Sequence, residues 1–395
     1  MKKIAILGST GSIGTQALDV ISKNSDKFVV CALSCEKKVS LLAEQIEKFK
    51  PEIAVTASAK DAAELAAKYP DTEFFYGDAG LIHAATSDCD MVLNALMGIR
   101  GLLPTYKAVL AGKNIAFANK ETLVAGGCVI MEAAKANGVK LLPVDSEHSA
   151  IMQCLEGHSQ KQVKRLILTA SGGPFRGYSI DKLREVTVEQ ALNHPKWSMG
   201  KKITIDSATM MNKGLEIIEA KWLFDIPENK IDVAIHHQSI VHSMVEYCDG
   251  SVIAQLGKPD MKVPISYALG YPERVETDSA GLNFFEEAAN LTFEPPDEDI
   301  FVCLKLARQA IQDEDSSYAV VLNAANEILA QLFLEKRIQF LDIQNHIARI
   351  LEEHKPEYRL DVGQILELDE NVRREVLKNV NNSNGRHIMH THFCP

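Results

Sequence analysis

"KKIAILGSTGSIGTQALDVISKN", residues 2–24, runs from an apolar strand pattern through a glycine-rich turn into a helical pattern. Ile4 to Leu7 are continuously apolar, and Gly8, Gly11 and Gly14 follow in the spacing G-x-x-G-x-x-G. Glycines let a backbone turn sharply and approach a pyrophosphate. The helix N-terminus behind them offers free N–H groups and partial positive charge. The spacing departs from G-x-G-x-x-G, so context carries the reading: a strand before it and a helix after it open a βαβ unit.

Further along, the alternation continues. "KFVVCALS", "PEIAVTA", "DMVLNAL", "KNIAFAN" and "VKLLPVD" read as strands. "VSLLAEQIEKF", "DAAELAAKY", "LPTYKAVLAG" and "CVIMEAAKANG" read as helices between them. Continuously hydrophobic strands alternating with helices imply a parallel, doubly wound sheet over residues 1–150, a dinucleotide-binding domain. From 151 to 285 the strand patterns "RLILTAS", "KITIDSA", "IDVAIHH" and "SVIAQLG" are separated by longer polar segments, as in a mixed α/β domain. "NLTFEPPDED" (290–299) is acidic and proline-bearing, and places a linker at 286–299. Residues 300–385 read as a helical domain, and 386–395 as a histidine-rich tail.

Composition bounds the function. The chain has 395 residues, 46% hydrophobic and 24% charged, which fits a soluble protein of two or three domains. A net charge of −11 argues against a nucleic-acid binder, while leaving room for a local cationic pocket that takes an anion. The eight cysteines include no C-x-x-C pair and read as reduced thiols of a cytoplasmic protein. The apolar run at the start is too short for a signal peptide, and no run reaches membrane-spanning length.

Several polar clusters sit where chemistry is expected. After the second strand, Glu36 favours a free ribose 2′-OH, whereas Lys37 and Lys38 favour a 2′-phosphate; both signals stand side by side. "ANKET" (118–122) ends the fifth of these strands and aims Lys120, with Asn119 and Glu121 beside it, at the cofactor crevice. "LLPVDSEHSAIMQ" (141–153) is a strand that ends on charge. Asp145 and Glu147 are two apart, and in an extended segment they point to one side. Two such carboxylates repel unless a proton or a hard cation such as Mg²⁺ or Mn²⁺ lies between them. A third acid is available in "IDSATMMNKGLEIIEAKWLF" (205–224). There Ser207 is placed to cap a helix whose buried stripe is Met211, Leu215, Ile218 and Trp222. Asn212 and Glu216 share another face, with Lys213 beside them. Ser171 and two glycines in "TASGGPFRG" (169–177) make an anion-binding turn. "NHPKWSMGKK" (193–202) holds His194, Trp197 and Met199 in a polar loop suited to a lid. His236, His237 and His242 lie near a strand end.

Taken together, "GSTGSIG", "ANKE", "PVDSEHSA", "SGGPF", "HPKWSMGKKITIDSATMMNKGLE" and "AQLGKPDM" resemble the 1-deoxy-D-xylulose 5-phosphate reductoisomerase family, in the family's order and from about residue 4 to the C-terminal helices. The resemblance implies an N-terminal NADPH domain, a central catalytic domain with a flap, and a C-terminal helical domain. It also implies a homodimer held through the central domain. It assigns Asp145, Glu147 and Glu216 to a divalent metal, Mg²⁺ or Mn²⁺. Ser171, Ser207, Asn212 and Lys213 match the groups that hold the substrate phosphate and neighbouring hydroxyls. Ser146 and Lys120 match residues at the reacting end, and His194 and His242 the active-site histidines. Trp197 and Met199 match the flap, and Thr10, Gly11, Ser12 and Ile13 the pyrophosphate loop. The implied activity is metal-dependent rearrangement and NADPH reduction of 1-deoxy-D-xylulose 5-phosphate to 2-C-methyl-D-erythritol 4-phosphate, in non-mevalonate isoprenoid biosynthesis. One departure stands out: Cys35, Glu36, Lys37 and Lys38 replace the family's usual small residue, glycine, variable residue and asparagine. The competing reading is another NAD(P)-dependent dehydrogenase, of the semialdehyde or homoserine type.

Overall fold

The computed structural model describes residues 1–193 and 200–390, with residues 382–390 as backbone only. The alternating first segment forms a seven-stranded parallel sheet. Its strands are β1 (Lys2–Leu7), β2 (Phe28–Ser34), β3 (Ile53–Thr56), β4 (Glu73–Tyr76), β5 (Met91–Asn94), β6 (Asn114–Phe117) and β7 (Leu141–Pro143). The spatial order is β4-β3-β2-β1-β5-β6-β7, and every pairing is parallel. The order reverses between β1 and β5, which opens a crevice at their carboxyl ends, where doubly wound sheets bind ligands. The sequence reading lacked β4: "EFFY" is half-exposed and carries a charge, so it looks like a loop.

Ile4, Ile6, Val30 and Leu33 form the centre of the core behind this sheet. Ile265, Ala268 and Leu269 complete it, from the helix Lys262–Gly270 far along the chain. Lys2 Nζ donates to the Leu269 carbonyl at 2.7 Å and satisfies an open end of that helix.

A second sheet has the order β11-β10-β8-β9, with β8 (Val163–Ala170), β9 (Ile231–Ile235), β10 (Val241–Tyr247) and β11 (Val252–Leu256). β8 and β9 are parallel; β10 runs antiparallel to both β8 and β11. The helix Ser146–Leu155 packs on β10 and β11, and Tyr247 Oη donates to the Cys154 carbonyl at 2.7 Å.

The chain divides into two compact units, and neither is one continuous segment. The first comprises residues 1–123, 127–171 and 219–295 and contains both sheets; the second comprises 124–126, 172–218 and 296–395 and is helical. The stretch 151–285, expected as one domain, is therefore shared between them. "NLTFEPPDED" is not a plain spacer either. Glu294 exchanges both backbone hydrogen bonds with Ile235, at 2.8 and 3.0 Å, which ties the segment to the edge of β9.

"KITIDSA", expected as a strand, is a helix, Lys201–Ala208. Its β-branched residues suggest extension, but the local bonds are helical. The Thr204 hydroxyl donates to the Gly200 carbonyl at 2.8 Å, and Lys202 pairs with Asp206 one turn on, at 2.7 Å. Asp206 is buried and accepts from Asn326 Nδ2 at 2.9 Å, a partner 120 residues away that no local pattern shows.

Candidate active site

The glycine turn lies at the mouth of the crevice. Gly8 has φ +86°, and a side-chain carbon there would stand 2.6 Å from the carbonyl oxygen of Ala95, just beyond β5. One at Gly14 would fall on Gly8 O, so the helix Ser12–Lys23 starts directly against the turn. Gly11 is its N-cap residue. Ser9 is fully buried: its hydroxyl donates to Gln45 at 2.7 Å, and Gln45 returns a bond to the Ser9 carbonyl at 2.9 Å. Thr10, Ser12 and Ile13 follow on this braced turn. Glu36 and Lys37 are exposed, and Lys38 Nζ reaches the Thr10 carbonyl at 3.3 Å, joining the loop after β2 to the turn.

The register of β6 and β7 creates the next group. Phe117 pairs with Pro143, and Val144 N donates to the Phe117 carbonyl at 2.9 Å. Each strand then turns into a helix, Lys120–Asn137 after β6 and Ser146–Leu155 after β7. Lys120 and Asp145 thus stand at neighbouring helix starts, and their charged atoms meet at 2.7 Å. Asn119 is buried and caps its helix by accepting from Thr122 N at 2.9 Å. Its amide donates to the carbonyls of Leu96 and Gly98 at 2.8 and 3.0 Å, so it shapes the loop beyond β5. Glu121 sits in the first turn of the same helix.

Asp145 and Glu147 are brought together differently from expectation. Asp145 is a helix N-cap, accepting from Ser146 N at 3.1 Å, and Glu147 lies in the first helical turn rather than on an extended segment. Carboxylates are stabilised at a helix N-terminus, which favours this placement. The Ser146 hydroxyl donates to the Glu147 carboxylate. Behind them, fully buried His148 places Nδ1 3.7 Å from Asp145 and 3.3 Å from Glu219. The ligand atoms of Asp145, His148 and Glu219 lie within 4.8 Å of one another. Neither His148 nor Glu219 was among the expected site residues. The i, i+3 spacings Asp145–His148 and Glu216–Glu219 were the available signal.

His242, on β10, is buried, which pushes its pKa down, while the negative charge of Glu147 acts the other way. Ser171 directly follows β8, and its carbonyl lies 3.2 Å from His237 Nδ1. His236 is structural. Its Nε2 accepts from Ile240 N and Val241 N at 3.2 and 3.1 Å, so Nδ1 carries the proton and donates to the Thr292 carbonyl at 2.9 Å.

In the second unit the helix Met211–Phe224 begins. Met211, Leu215 and Ile218 are buried as expected, but so is the polar face: Lys213, Glu216 and Glu219 are at most 3% exposed. Buried charges require partners. Asn212 Nδ2 donates to Glu216 at 2.6 Å, and Lys213 pairs with the same carboxylate. Ser207 does not cap this helix; it lies inside the preceding one, and its carbonyl abuts the turn at Gly173. The histidine, tryptophan and methionine of the lid, His194, Trp197 and Met199, lie outside the described residues.

Three stretches match protein families. Residues 4–127 match 1-deoxy-D-xylulose 5-phosphate reductoisomerase, 141–224 the 1-deoxy-D-xylulose 5-phosphate reductoisomerase C-terminal domain, and 256–375 the DXP reductoisomerase C-terminal domain. The 1-deoxy-D-xylulose 5-phosphate reductoisomerase of Thermoanaerobacter sp. (strain X514) is 51% identical over 381 residues, covering 96% of this chain and 99% of that protein. That of Geotalea uraniireducens (strain Rf4) is 52% identical over 374 residues, covering 93% and 96%. Among solved structures, 1-deoxy-D-xylulose 5-phosphate reductoisomerase from Zymomonas mobilis in complex with NADPH superposes with a TM-score of 0.90 at 40% identity, covering 96% of this chain and 99% of the other. DOX-P reductoisomerase in complex with NADPH, fosmidomycin and magnesium gives 0.89 at 40% identity, covering 96% and 98%.

Proposed function

The chain belongs to the 1-deoxy-D-xylulose 5-phosphate reductoisomerase family, and we propose on that footing which of its residues carry the reaction. The enzyme is an NADPH-dependent oxidoreductase that converts 1-deoxy-D-xylulose 5-phosphate to 2-C-methyl-D-erythritol 4-phosphate in non-mevalonate isoprenoid biosynthesis. The observation that carries the residue assignment is the convergence of Lys120, Asp145 and Glu147 at two adjacent helix starts beside the strand ends.

The donor chemistry fits the cofactors. Asp145 and Glu147 offer hard oxygen ligands in a half-buried setting, and Glu216 offers a third from a fully buried position; such a set suits Mg²⁺ or Mn²⁺. His148 and Glu219 support this set, since Glu219 stands one turn after Glu216 on the same helix. The turn of Gly8, Thr10, Gly11, Ser12, Ile13 and Gly14 suits the pyrophosphate, with Lys37 and Lys38 for a 2′-phosphate and Asn119 and Glu121 bordering the crevice. When bound, the cation supplies Lewis-acid stabilisation of oxyanions and NADPH supplies the hydride.

The protein's own groups do the rest. Lys213, Asn212, Ser207 and Ser171 hold the phosphate and the hydroxyls next to it. Lys213 is buried and pairs with Glu216. Ser146 and Lys120 orient the reacting end of the sugar. Burial lowers the pKa of His242, which favours the neutral ring as an acceptor for a substrate hydroxyl. His194, Trp197 and Met199, which lie outside the described residues, are assigned by the family resemblance to a flap over the substrate, where excluding water would protect a reactive intermediate. The assembly is a homodimer held through the central segment; exposed Phe284, Phe285 and the edge residue Val252 supply apolar surface for it. The compartment is the cytoplasm, in keeping with a described chain in which no helix is long and apolar enough to cross a membrane.

A spectrophotometric assay tests the reading. With 1-deoxy-D-xylulose 5-phosphate and Mn²⁺, NADPH absorbance should fall, faster than with NADH, and chelator should stop it. Oxidation that survives chelation would remove the metal from the mechanism. A preference for NADH would reverse the roles of Glu36 and the two lysines.

A further inference from the structure

Away from the carboxyl strand ends, a cavity of about 290 Å³ opens beside β7, the terminal strand of the parallel sheet. It lies wholly within the first unit. Its walls come from the far turns of three helices. Met131 and Lys135 belong to Lys120–Asn137, Met152 to Ser146–Leu155, and Leu223 to Met211–Phe224. Lys140, just before β7, and Tyr271 close the rim, with Lys140 Nζ 5.2 Å from the tyrosine ring centre.

The lining has a definite chemistry. Met131, Met152 and Leu223 are apolar and, in the methionines, adaptable in shape. Lys135 and Lys140 are exposed, and among the described residues no carboxylate pairs with either. In a protein of net charge −11, two ammonium groups without a carboxylate partner, Lys140 resting over the Tyr271 ring, form a local cationic rim above an apolar floor. The volume is close to the lower end of small-molecule sites, roughly 300 Å³.

We infer that this cavity is a second small-molecule site, one that takes a compact apolar molecule bearing a single anionic group. The apolar part lies against Met131, Met152 and Leu223, and the acid lies between Lys135 and Lys140. Each of the three stretches carries, towards its other end, groups proposed above for the reaction: Lys120, beyond a break in the helix at Gly126; Asp145 with Glu147; and Lys213 with Glu216. A ligand in the cavity therefore touches the elements that hold those groups in place. Binding itself does not rest on the assignment of the reaction.

The probe is 1-anilinonaphthalene-8-sulfonate, an apolar anion that brightens when it leaves water. The full chain is saturated with NADPH first, so that the dinucleotide crevice is closed to the dye. The expected result is a saturable rise at one dye per chain. The double variant Lys135→Glu, Lys140→Glu should weaken it by about tenfold or more while keeping turnover. Met152→Trp, which fills the cavity, should abolish it. A rise that does not saturate, or charge-reversed protein that binds the dye like the parent, overturns the site. Should Met152→Trp fail to fold, the lysine variant alone decides.

Discussion

Glu216 is a carboxylate sealed from solvent, met by Asn212 and Lys213 from its own helix. Such a group persists only because it is paired, so removing its charge tests its use directly. Glu216→Gln should lower metal-dependent kcat by more than the roughly 10–100-fold that supporting groups near a metal cost, with NADPH binding unchanged. Turnover equal to the parent would strike Glu216 from the ligand set. Glu219 is the supporting group: it holds His148 at 3.3 Å, and His148 lies 3.7 Å from Asp145. Glu219→Gln should weaken Mn²⁺ binding about 10–100-fold, read by titration of the NADPH-free protein. Undiminished affinity would mean that His148 and Glu219 serve packing alone. Asp145 and Glu147 were legible in the sequence because they end a strand pattern on charge. Glu219 was not, because its neighbours Ile217, Ile218 and Ala220 are buried as well, and a helix buried all round has no periodicity to separate a working acid from a solvated one.

Two short connections set the site among the secondary-structure elements. Asn119 caps the helix Lys120–Asn137 and holds two carbonyls of the loop beyond β5. Asn119→Ala removes a cap and leaves those carbonyls without their donor, a loss of roughly 2–4 kcal/mol. Urea unfolding should show that loss, and the KM for NADPH should rise because the loop borders the crevice; a normal midpoint would show that water replaces the amide. The second connection runs through His236, whose neutral ring clamps residue 292 to the turn before β10. Burial lowers its pKa below 6.5, so below that pH the unfolded chain takes up a proton that the native ring refuses. Stability is therefore full above the ordinary histidine range and falls as pH drops through it. His236→Asn should flatten that fall in the urea midpoint, and parallel pH profiles for parent and variant would count against the clamp. The helix Lys201–Ala208 escaped the sequence reading because its β-branched residues suggest extension, while the contact that fixes its buried Asp206, to Asn326, is distant in the chain.

For the whole molecule, each compact unit is assembled from separated segments. The first core needs Ile265, Ala268 and Leu269 as much as it needs Ile4 and Ile6. Residues 1–150 alone therefore lack part of their own interior. At this scale the proposed homodimer is the property to measure. Sedimentation should give twice the 43.5 kDa of one chain. Phe285, 94% exposed, is unusual for so large an apolar side chain, and Phe285→Glu should shift the equilibrium towards the single chain. A parent protein that sediments as a single chain at micromolar concentration would refute the dimer.

The amino-acid sequence by itself determined the parallel sheet and the glycine turn at its switch point. It also marked the acids after β7 and the blocks that identify the family. These depend on residues close together in the chain, where strand and helix periods, caps and glycine turns are written locally. Only the tertiary structure decided that Asp145 and Glu147 meet at a helix start. It also decided that His148 and Glu219 stand behind them, that Lys201–Ala208 is helical, and that Lys262–Gly270 completes the first core. The last three depend on burial and on partners tens to hundreds of residues away, and a local pattern carries no record of which distant surface will cover it.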